Sequence, residues 1–149
     1  MKIIVTGSQG FIGSYICAEL LDKGHKVVGI DNFSKYGPVV RPHDSHPNFS
    51  LLNMDICSMS ISDGDINPIF LDADYIIAGA AMIGGISYFH KYAYDLLATN
   101  ERILASTFDL AIKLNKEHDL KRILVISSSM VFENTSQYPT PEAELKNCP

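Results

Sequence analysis

Runs of apolar residues alternate along this chain with segments whose apolar positions recur every three or four residues. A continuous apolar run is typical of a buried parallel strand, and the wider spacing is typical of a helix with one buried face. The runs predict five strands, near residues 2–6, 26–31, 50–54, 74–79 and 122–127. The wider spacing predicts two main helices and two shorter helical pieces, near residues 11–23, 95–116, 64–71 and 86–93.

This alternation predicts an α/β fold: a doubly wound parallel sheet of the Rossmann type, with helices on both faces. A length of 149 residues with 46% apolar residues fits one compact domain with its own core. The strand near 122–127 would form an apolar sheet edge, which natural proteins cover. The polar stretch 138–149 that follows it is predicted to be a loop. We therefore expect the chain to be the N-terminal part of a longer protein.

Charge and cysteine usage narrow the class of protein. A formal net charge of −5 without a basic run argues against a nucleic-acid-binding surface. No apolar stretch approaches the length of a membrane span, and Met1 and Lys2 lead directly into a predicted strand, so we expect a cytoplasmic protein. Cys17, Cys57 and Cys148 are odd in number and unpatterned, which predicts reduced thiols, with Cys17 packed on the first helix.

The most specific motif lies where the first strand meets the first helix, in the sequence Thr6-Gly7-Ser8-Gln9-Gly10-Phe11-Ile12-Gly13. Such a turn can hold a dinucleotide: Gly7 permits the tight turn, Gly10 permits close approach to a pyrophosphate, and Gly13 lets the helix lie close to the sheet. Free N–H groups at the helix N-terminus favour the phosphates. The second strand ends in Asp31, where a ribose hydroxyl needs an acceptor. A turn that serves packing alone is the alternative interpretation.

Residues 33–48 are the least regular region, with one glycine and several prolines, and we predict a loop that borders the adenosine end of the site. His43 and His46 lie in this loop. Two histidines without a third ligand are more often solvated loop residues than metal ligands, so we predict no metal site.

Motifs spread over nearly the whole chain are similar to those of one family, and they follow one another at compatible spacing. The chain resembles the extended short-chain dehydrogenase/reductase family, in particular nucleotide-sugar epimerases and dehydratases of the UDP-galactose 4-epimerase type. The matching stretches are Thr6-Gly7-x-x-Gly10-x-x-Gly13, Asp31-Asn32, Asp55-Ile56, Ala78-Gly79-Ala80-Ala81, Asn100 and Ser127-Ser128-Ser129-Met130-Val131-Phe132.

The resemblance implies NAD as the cofactor and a set of residues around it. Asp55 and the backbone of Ile56 would hold the adenine, small residues at 78–81 would leave room for the cofactor, and Asn100 would support the active-site strand. A turn cap for Asp55 and a wet helix face for Asn100 are the alternative interpretations. The implied cofactor site comprises Gly7, Gly10, Phe11, Ile12, Gly13, Asp31, Asn32, Asp55, Ile56, Ala78, Gly79, Ala80, Ala81 and Asn100.

Asp31 predicts NAD rather than NADP, because its carboxylate would accept hydrogen bonds from the ribose hydroxyls and repel a 2′-phosphate. Lys35 and Arg41, in the loop that follows, are the two cations that could turn toward such a phosphate.

The catalytic group that the resemblance assigns within this chain is Ser128, which would share the proton of the sugar hydroxyl. In the family a tyrosine base and a lysine that lowers its pKa lie on the next helix. Tyr138 is a poor candidate for that base, because it precedes Pro139 and has no lysine four residues on. We therefore expect these 149 residues alone to be inactive, and the substrate domain to follow them.

Two departures from the family pattern bear on the substrate. Phe132-Glu133 replaces the usual tyrosine-glycine pair, and Met130 stands where many 4,6-dehydratases carry a glutamate. The run Ala80-Ala81-Met82-Ile83-Gly84-Gly85 also resembles a loop of the GDP-mannose 3,5-epimerase branch. The resemblance implies an epimerase or an unusual dehydratase, with Met82, Ser128 and Met130 as substrate contacts. A thioether cannot transfer a proton, so we do not expect ordinary 4,6-dehydration through position 130.

The expected partners are a nucleotide sugar and, in the longer protein, a second copy of the chain paired through the helix near 95–116. The apolar face of that helix would be exposed here, and it carries Ile103, Leu104, Phe108 and Ile112. Two other functions remain open: a non-catalytic module that binds NAD or a nucleotide sugar, and a short-chain reductase that acts on a non-sugar carbonyl.

Overall fold

The computed structural model describes residues 1–59, 66–132 and 134–147. Within these residues, five strands and three helices make up the regular structure. In chain order they are β1 (Lys2–Thr6), α1 (Phe11–Asp22), β2 (Lys26–Asp31), β3 (Phe49–Asn53), β4 (Tyr75–Ala78), α2 (Ile86–Lys91), α3 (Ala93–His118) and β5 (Arg122–Val125). Short 3₁₀ turns are formed by Pro42–Ser45, Ile56–Ser58, Pro68–Phe70, Ser129–Phe132 and Glu142–Asn147.

The five strands form one parallel sheet in the order β3-β2-β1-β4-β5. From β1 the chain continues to β2 and β3 on one side of β1, and then to β4 and β5 on the other side. Because the crossover connections are right-handed, this reversal puts α1 and α3 on opposite faces of the sheet. Ile3 and Val5 accordingly pack with Cys17 of α1, whereas Ile4 packs with Leu110 of α3. The predicted doubly wound sheet is confirmed.

Two local predictions differ from the structure. Where it is described, the helical piece predicted near 64–71 is only a 3₁₀ turn at Pro68–Phe70. Asn67 caps this turn by accepting from the Ile69 N–H at 3.0 Å, and the backbone leaves the helical conformation at Leu71. Positions 64 and 65 lie outside the described residues. The stretch predicted to be loop after residue 138 contains the turn Glu142–Asn147.

Cysteine and histidine positions also differ in part from expectation. Cys17 is buried on α1 as predicted, and burial raises the pKa of its thiol to about 12, so the thiol stays protonated. Cys17 and Cys57 are free thiols, and Cys148 lies outside the described residues. The prediction of a solvated His43 is wrong: its ring is buried edge-to-face against Phe49 at 4.8 Å, and burial lowers the pKa of the imidazole.

The β5 edge and one side of α3 are exposed. Leu124 of β5 is 54% accessible, and Leu104, Phe108 and Ile112 form an exposed stripe on α3. Ile103 does not belong to that stripe, because it packs against the core between α3 and the sheet. Among residues 1–59, 66–132 and 134–147, no helix combines the length and apolar character that a bilayer crossing needs.

Replacing Gly13 by alanine should destabilise the fold strongly. A Cβ on Gly13 would lie 2.0 Å from the Gly7 carbonyl oxygen, and this atom belongs to a backbone that cannot move aside. We expect a loss of about 3 kcal/mol or more in the free energy of unfolding, the upper end for overpacked sites. Chemical denaturation would measure it. Gly24→Ala is the control: its Cβ meets nothing within 4 Å and only its φ of +78° opposes the change, which predicts a loss of about 1 kcal/mol. Equal losses for the two variants would contradict the packing argument.

Candidate cofactor-binding site

The site lies at the carboxyl edge of the sheet, where the segments after all five strands meet. Because the strands are parallel, the turn after β1 and the segment after β4 face each other across the point where the strand order reverses. Open α/β sheets bind their ligands in this crevice. The motifs identified in the sequence therefore come together although the first lies at residues 6–13 and the last at residues 127–132.

The glycine-rich turn gives the crevice its floor. Gly7 adopts a φ of +71°, and its N–H donates to the Ile30 carbonyl at 2.8 Å. Helix α1 begins after Gly10 with no acidic residue in its first turn, and within the described chain no side chain caps it. Its first N–H groups and the positive end of its dipole are thus open to an anion.

Phe11 and Ile12 were predicted to be part of this site. Their side chains are 67% and 55% accessible. Because both residues lie at the start of α1, they can contribute to the site through their backbone N–H groups. Gly13 contributes through packing, since its bare Cα lets α1 rest on the turn.

A hydroxyl joins β1 to the segment after β4. Thr6 is completely buried, and its Oγ1 accepts hydrogen bonds from the N–H groups of Gly79 and Ala80, both at 3.1 Å. A Cβ on Gly79 would lie 2.9 Å from the Thr6 carbonyl oxygen. The predicted small-residue segment therefore serves close backbone packing, and beyond the buried Ala78 it lines the crevice with little bulk, since Ala80 is half-buried and Ala81 exposed.

Asp31, at the end of β2, is held by two backbone N–H groups. Its Oδ2 accepts from the Gln9 N–H at 2.9 Å and its Oδ1 accepts from the Phe33 N–H at 2.8 Å. Each oxygen keeps a second lone pair, so the carboxylate can still accept hydrogen bonds from a pair of ribose hydroxyls.

Asn32 and Asp55 meet beside Asp31. The Asn32 amide donates to Asp55 Oδ2 at 3.2 Å, while Asp55 Oδ1 accepts from the Cys57 N–H at 2.9 Å and caps the turn Ile56–Ser58. The turn-capping interpretation of Asp55 is thus correct, and the residue is also exposed; its contact with adenine stays a prediction. The Ile56 side chain is buried in the core, which leaves its backbone for any ligand contact.

Asn100 acts on the segment after β4 from helix α3. Its Oδ1 accepts from the Met82 N–H at 2.8 Å, and its Nδ2 donates to the Met82 carbonyl at 2.9 Å. The interpretation of Asn100 as an idle residue on a wet helix face is therefore wrong. These contacts make it a positioning residue for the crevice, and a direct cofactor contact stays a prediction.

The end of β5 carries the predicted catalytic group. Ser128 is exposed, and its carbonyl accepts from the Val131 N–H at 3.2 Å as the chain enters the turn Ser129–Phe132. The side chain of Met130 and all of Glu133 lie outside the described residues. The substrate roles of Met82, Ser128 and Met130 stay predictions.

The structure also joins polar groups whose pairing the sequence pattern did not predict. Gln9 and Asp44 pair across the loop, and Arg41 donates to the Gln9 carbonyl at 2.7 Å instead of projecting into the crevice. Lys35 reaches over to the Ile83 carbonyl at 2.9 Å. Lys35 and Arg41, the two cations that could turn toward a 2′-phosphate, thus each donate to a backbone oxygen. No local pattern marks these pairs, because the loop is irregular and the partners are distant in sequence.

An NAD molecule fits these groups. The uncapped start of α1 suits a pyrophosphate, the bare backbone at Gly7 and Gly79 leaves room for close approach, and the Asp31 carboxylate suits a ribose without a 2′-phosphate. Groups of three or more potential metal ligands do not occur within residues 1–59, 66–132 and 134–147.

Residues 3–148 match the model of the NAD dependent epimerase/dehydratase family, and the chain belongs to that family. Similar proteins include an uncharacterized UDP-glucose epimerase of Bacillus subtilis, 32% identical over 93% of this chain and 46% of that protein. UDP-glucuronic acid decarboxylase 2 of Arabidopsis thaliana is 27% identical over 95% of this chain and 29% of its own length.

Among solved structures, the UDP-glucose 4-epimerase of Thermotoga maritima with UDP-glucose superimposes with a TM-score of 0.71 and 28% identity. The match covers 97% of this chain and 44% of that structure. The chain thus spans less than half the length of the relatives it matches, and the cofactor of its family is NAD.

Replacing Thr6 by valine tests the link between β1 and the segment after β4. Valine keeps the shape but leaves the Gly79 and Ala80 N–H groups without their acceptor, so we expect a loss of ~2 kcal/mol in unfolding free energy. NAD affinity should fall as well, because this segment lines the crevice. Thr6→Ser keeps the oxygen and is the matched control, with most of the NAD affinity retained. Serine and valine variants of equal NAD affinity would contradict this role.

Proposed function

We propose that this chain is the cofactor-binding part of an NAD-dependent nucleotide-sugar epimerase or dehydratase, which oxidises its sugar transiently by hydride transfer. The observation that carries the proposal is the pairing of two features at one edge of the sheet: the uncapped N-terminus of α1 and the fixed carboxylate of Asp31. Together they suit a pyrophosphate and an unphosphorylated ribose, the two groups that a dinucleotide site of this fold binds.

A nucleotide sugar is the substrate we propose. The support comes from the relatives, whose names give UDP-glucose and UDP-glucuronic acid as the sugars they act on. The choice between epimerase and dehydratase turns on Met130, because a methionine cannot serve as the acid that ordinary 4,6-elimination needs. We favour the epimerase, and we place the reaction in the cytoplasm.

The chemistry divides between cofactor and protein. NAD supplies a hydride acceptor that can also return the hydride. Ser128, at the crevice end of β5, would share the proton of the reacting hydroxyl, and Asn100 would keep the segment at Met82 in place against the sugar. No tyrosine of the 149 residues is followed by a lysine four residues on, so the family's base would lie further along the longer protein.

A second copy of the chain is the other partner we propose for the longer protein. The exposed stripe Leu104, Phe108 and Ile112 on α3 is an apolar surface of the kind that dimers cover.

NAD should bind more tightly than NADP. The Asp31 carboxylate would accept from the ribose hydroxyls of NAD and repel the 2′-phosphate of NADP. Calorimetric titration with both dinucleotides would measure the ratio of dissociation constants, and Asp31→Ala should narrow it by weakening NAD binding. Asp95→Ala, in the first turn of α3, removes the same charge elsewhere and is the control. Tighter binding of NADP to the unsubstituted protein would contradict the assignment.

In the full-length protein, Ser128→Ala should lower kcat by about 100-fold, the usual range for removal of a proton-sharing group. Its NAD dissociation constant should remain close to that of the parent protein. Ser128→Thr keeps the hydroxyl and should retain a large part of the activity. Steady-state rates with UDP- and GDP-sugars, together with NAD titrations, separate the two effects. An unchanged kcat in Ser128→Ala would remove Ser128 from the mechanism.

A further inference from the structure

Gln9 is the second of the two residues between Gly7 and Gly10, and the structure holds it at three points. Its N–H donates to Asp31 Oδ2 at 2.9 Å, its carbonyl accepts from Arg41 Nη2 at 2.7 Å, and its Nε2 donates to Asp44 Oδ1 at 2.9 Å. The residue is only 2% accessible. Two of these bonds involve the backbone and one the buried side chain, and together they restrict the glycine-rich turn.

Asp44 is the centre of this arrangement. While one carboxylate oxygen accepts from Gln9, the other accepts from the Arg41 backbone N–H at 2.7 Å. One side chain thus secures both the turn Pro42–Ser45 and, across the loop, the glycine-rich turn. Hydrogen bonds to a carboxylate are stronger than those between neutral groups.

The turn that carries Asp44 is itself fastened to the sheet. The neighbouring His43 is buried with its ring against Phe49, the first residue of β3. A continuous series of contacts therefore runs from β3 through Asp44 and Gln9 to the carboxylate of Asp31.

Glycine gives the turn after β1 conformational freedom that a bound dinucleotide would have to restrict. Gly7 and Gly10 flank Gln9, and each glycine loses more backbone entropy on ordering than other residues do. Contacts that order such a segment before the ligand arrives reduce the free energy that binding must supply.

We propose that Asp44 is a positioning residue for the dinucleotide: it holds Gln9, and through the Gln9 N–H it holds Asp31, in the geometry that receives the adenosine ribose. Asp44 acts through Gln9 and does not itself contact the ribose. The inference rests on the proposed function, since it concerns the same cofactor site. It adds a loop carboxylate, outside the family's recognised motifs in this chain, to the groups that determine NAD affinity.

An exchange of the two polar groups tests the proposal in the full-length protein. Asp44→Asn replaces one of the two carboxylate oxygens by an N–H₂ group, so either Gln9 Nε2 or the Arg41 N–H loses its acceptor. We expect NAD to bind about tenfold more weakly, which corresponds to the loss of one buried hydrogen bond. Gln9→Glu should also weaken binding, because it sets two carboxylates against each other. In the double variant the amide introduced at position 44 can donate to the carboxylate introduced at position 9. Most of the lost NAD affinity should then return. A double-mutant cycle would quantify this coupling between positions 9 and 44.

A second measurement does not depend on the cofactor. Hydrogen exchange of the backbone amide at position 9 in the ligand-free protein should accelerate about tenfold in Asp44→Asn and recover in the double variant. Phe70→Leu is the control for stability alone. Phe70 lies 1% accessible in the core on the α3 side, so this variant should unfold more easily and bind NAD normally.

The proposal is overturned if Asp44→Asn binds NAD as tightly as the parent protein, or if the double variant is as weak as the two single ones. It is also overturned if Phe70→Leu, matched in stability, loses the same NAD affinity. An unsubstituted protein that does not bind NAD would instead overturn the proposed function, an outcome that the exchange measurement distinguishes from a failure of the Asp44 contacts.

Discussion

The close contact between the glycine-rich turn and the backbone after β4 is the constraint on which the rest of the site depends. A Cβ on Gly7 would come within 2.9 Å of the Ala80 backbone, and a Cβ on Gly79 would come equally close to the Thr6 carbonyl. The buried Thr6 hydroxyl fills the remaining space by accepting two N–H groups. This packing brings the two sides of the crevice together, and the small residues Gly79, Ala80 and Ala81 keep bulky side chains away from the contact.

The crevice carries partial positive charge at the start of α1 and negative charge at Asp31. The start of α1 presents unpaired N–H groups next to the turn, and Asp31 stands at the end of the neighbouring strand. An anion is favoured at the first position and a hydroxyl donor at the second. Arg41 and Lys35 are held on the backbone carbonyls of Gln9 and Ile83.

Packing differs between the surfaces of the described residues. The β5 edge and the stripe on α3 are apolar and accessible, whereas the faces that meet α1 and the inner side of α3 are well packed. Within the described residues, the turn after β1 contacts both Asp31 and the backbone after β4.

The strands, the main helices and the glycine-rich turn could be predicted from local patterns, because continuous apolar runs, helical spacing and glycine at Gly7 and Gly13 report local geometry directly. The family motifs added Asp31, Asp55 and Asn100 as predicted site residues. The partners of these groups could not be predicted. Asn100 binds the backbone of Met82, which no side-chain pattern encodes.

What the sequence by itself determined is therefore the order of strands and helices and the chemical type of the ligand. The tertiary structure alone decided that Ile103 faces the core, that His43 is buried against Phe49, and that Gln9, Arg41 and Asp44 bind one another. The physical reason is the same for all three. Their surroundings are created by segments distant in the chain, and only the folded arrangement of the sheet and its loops determines which polar groups are left to pair.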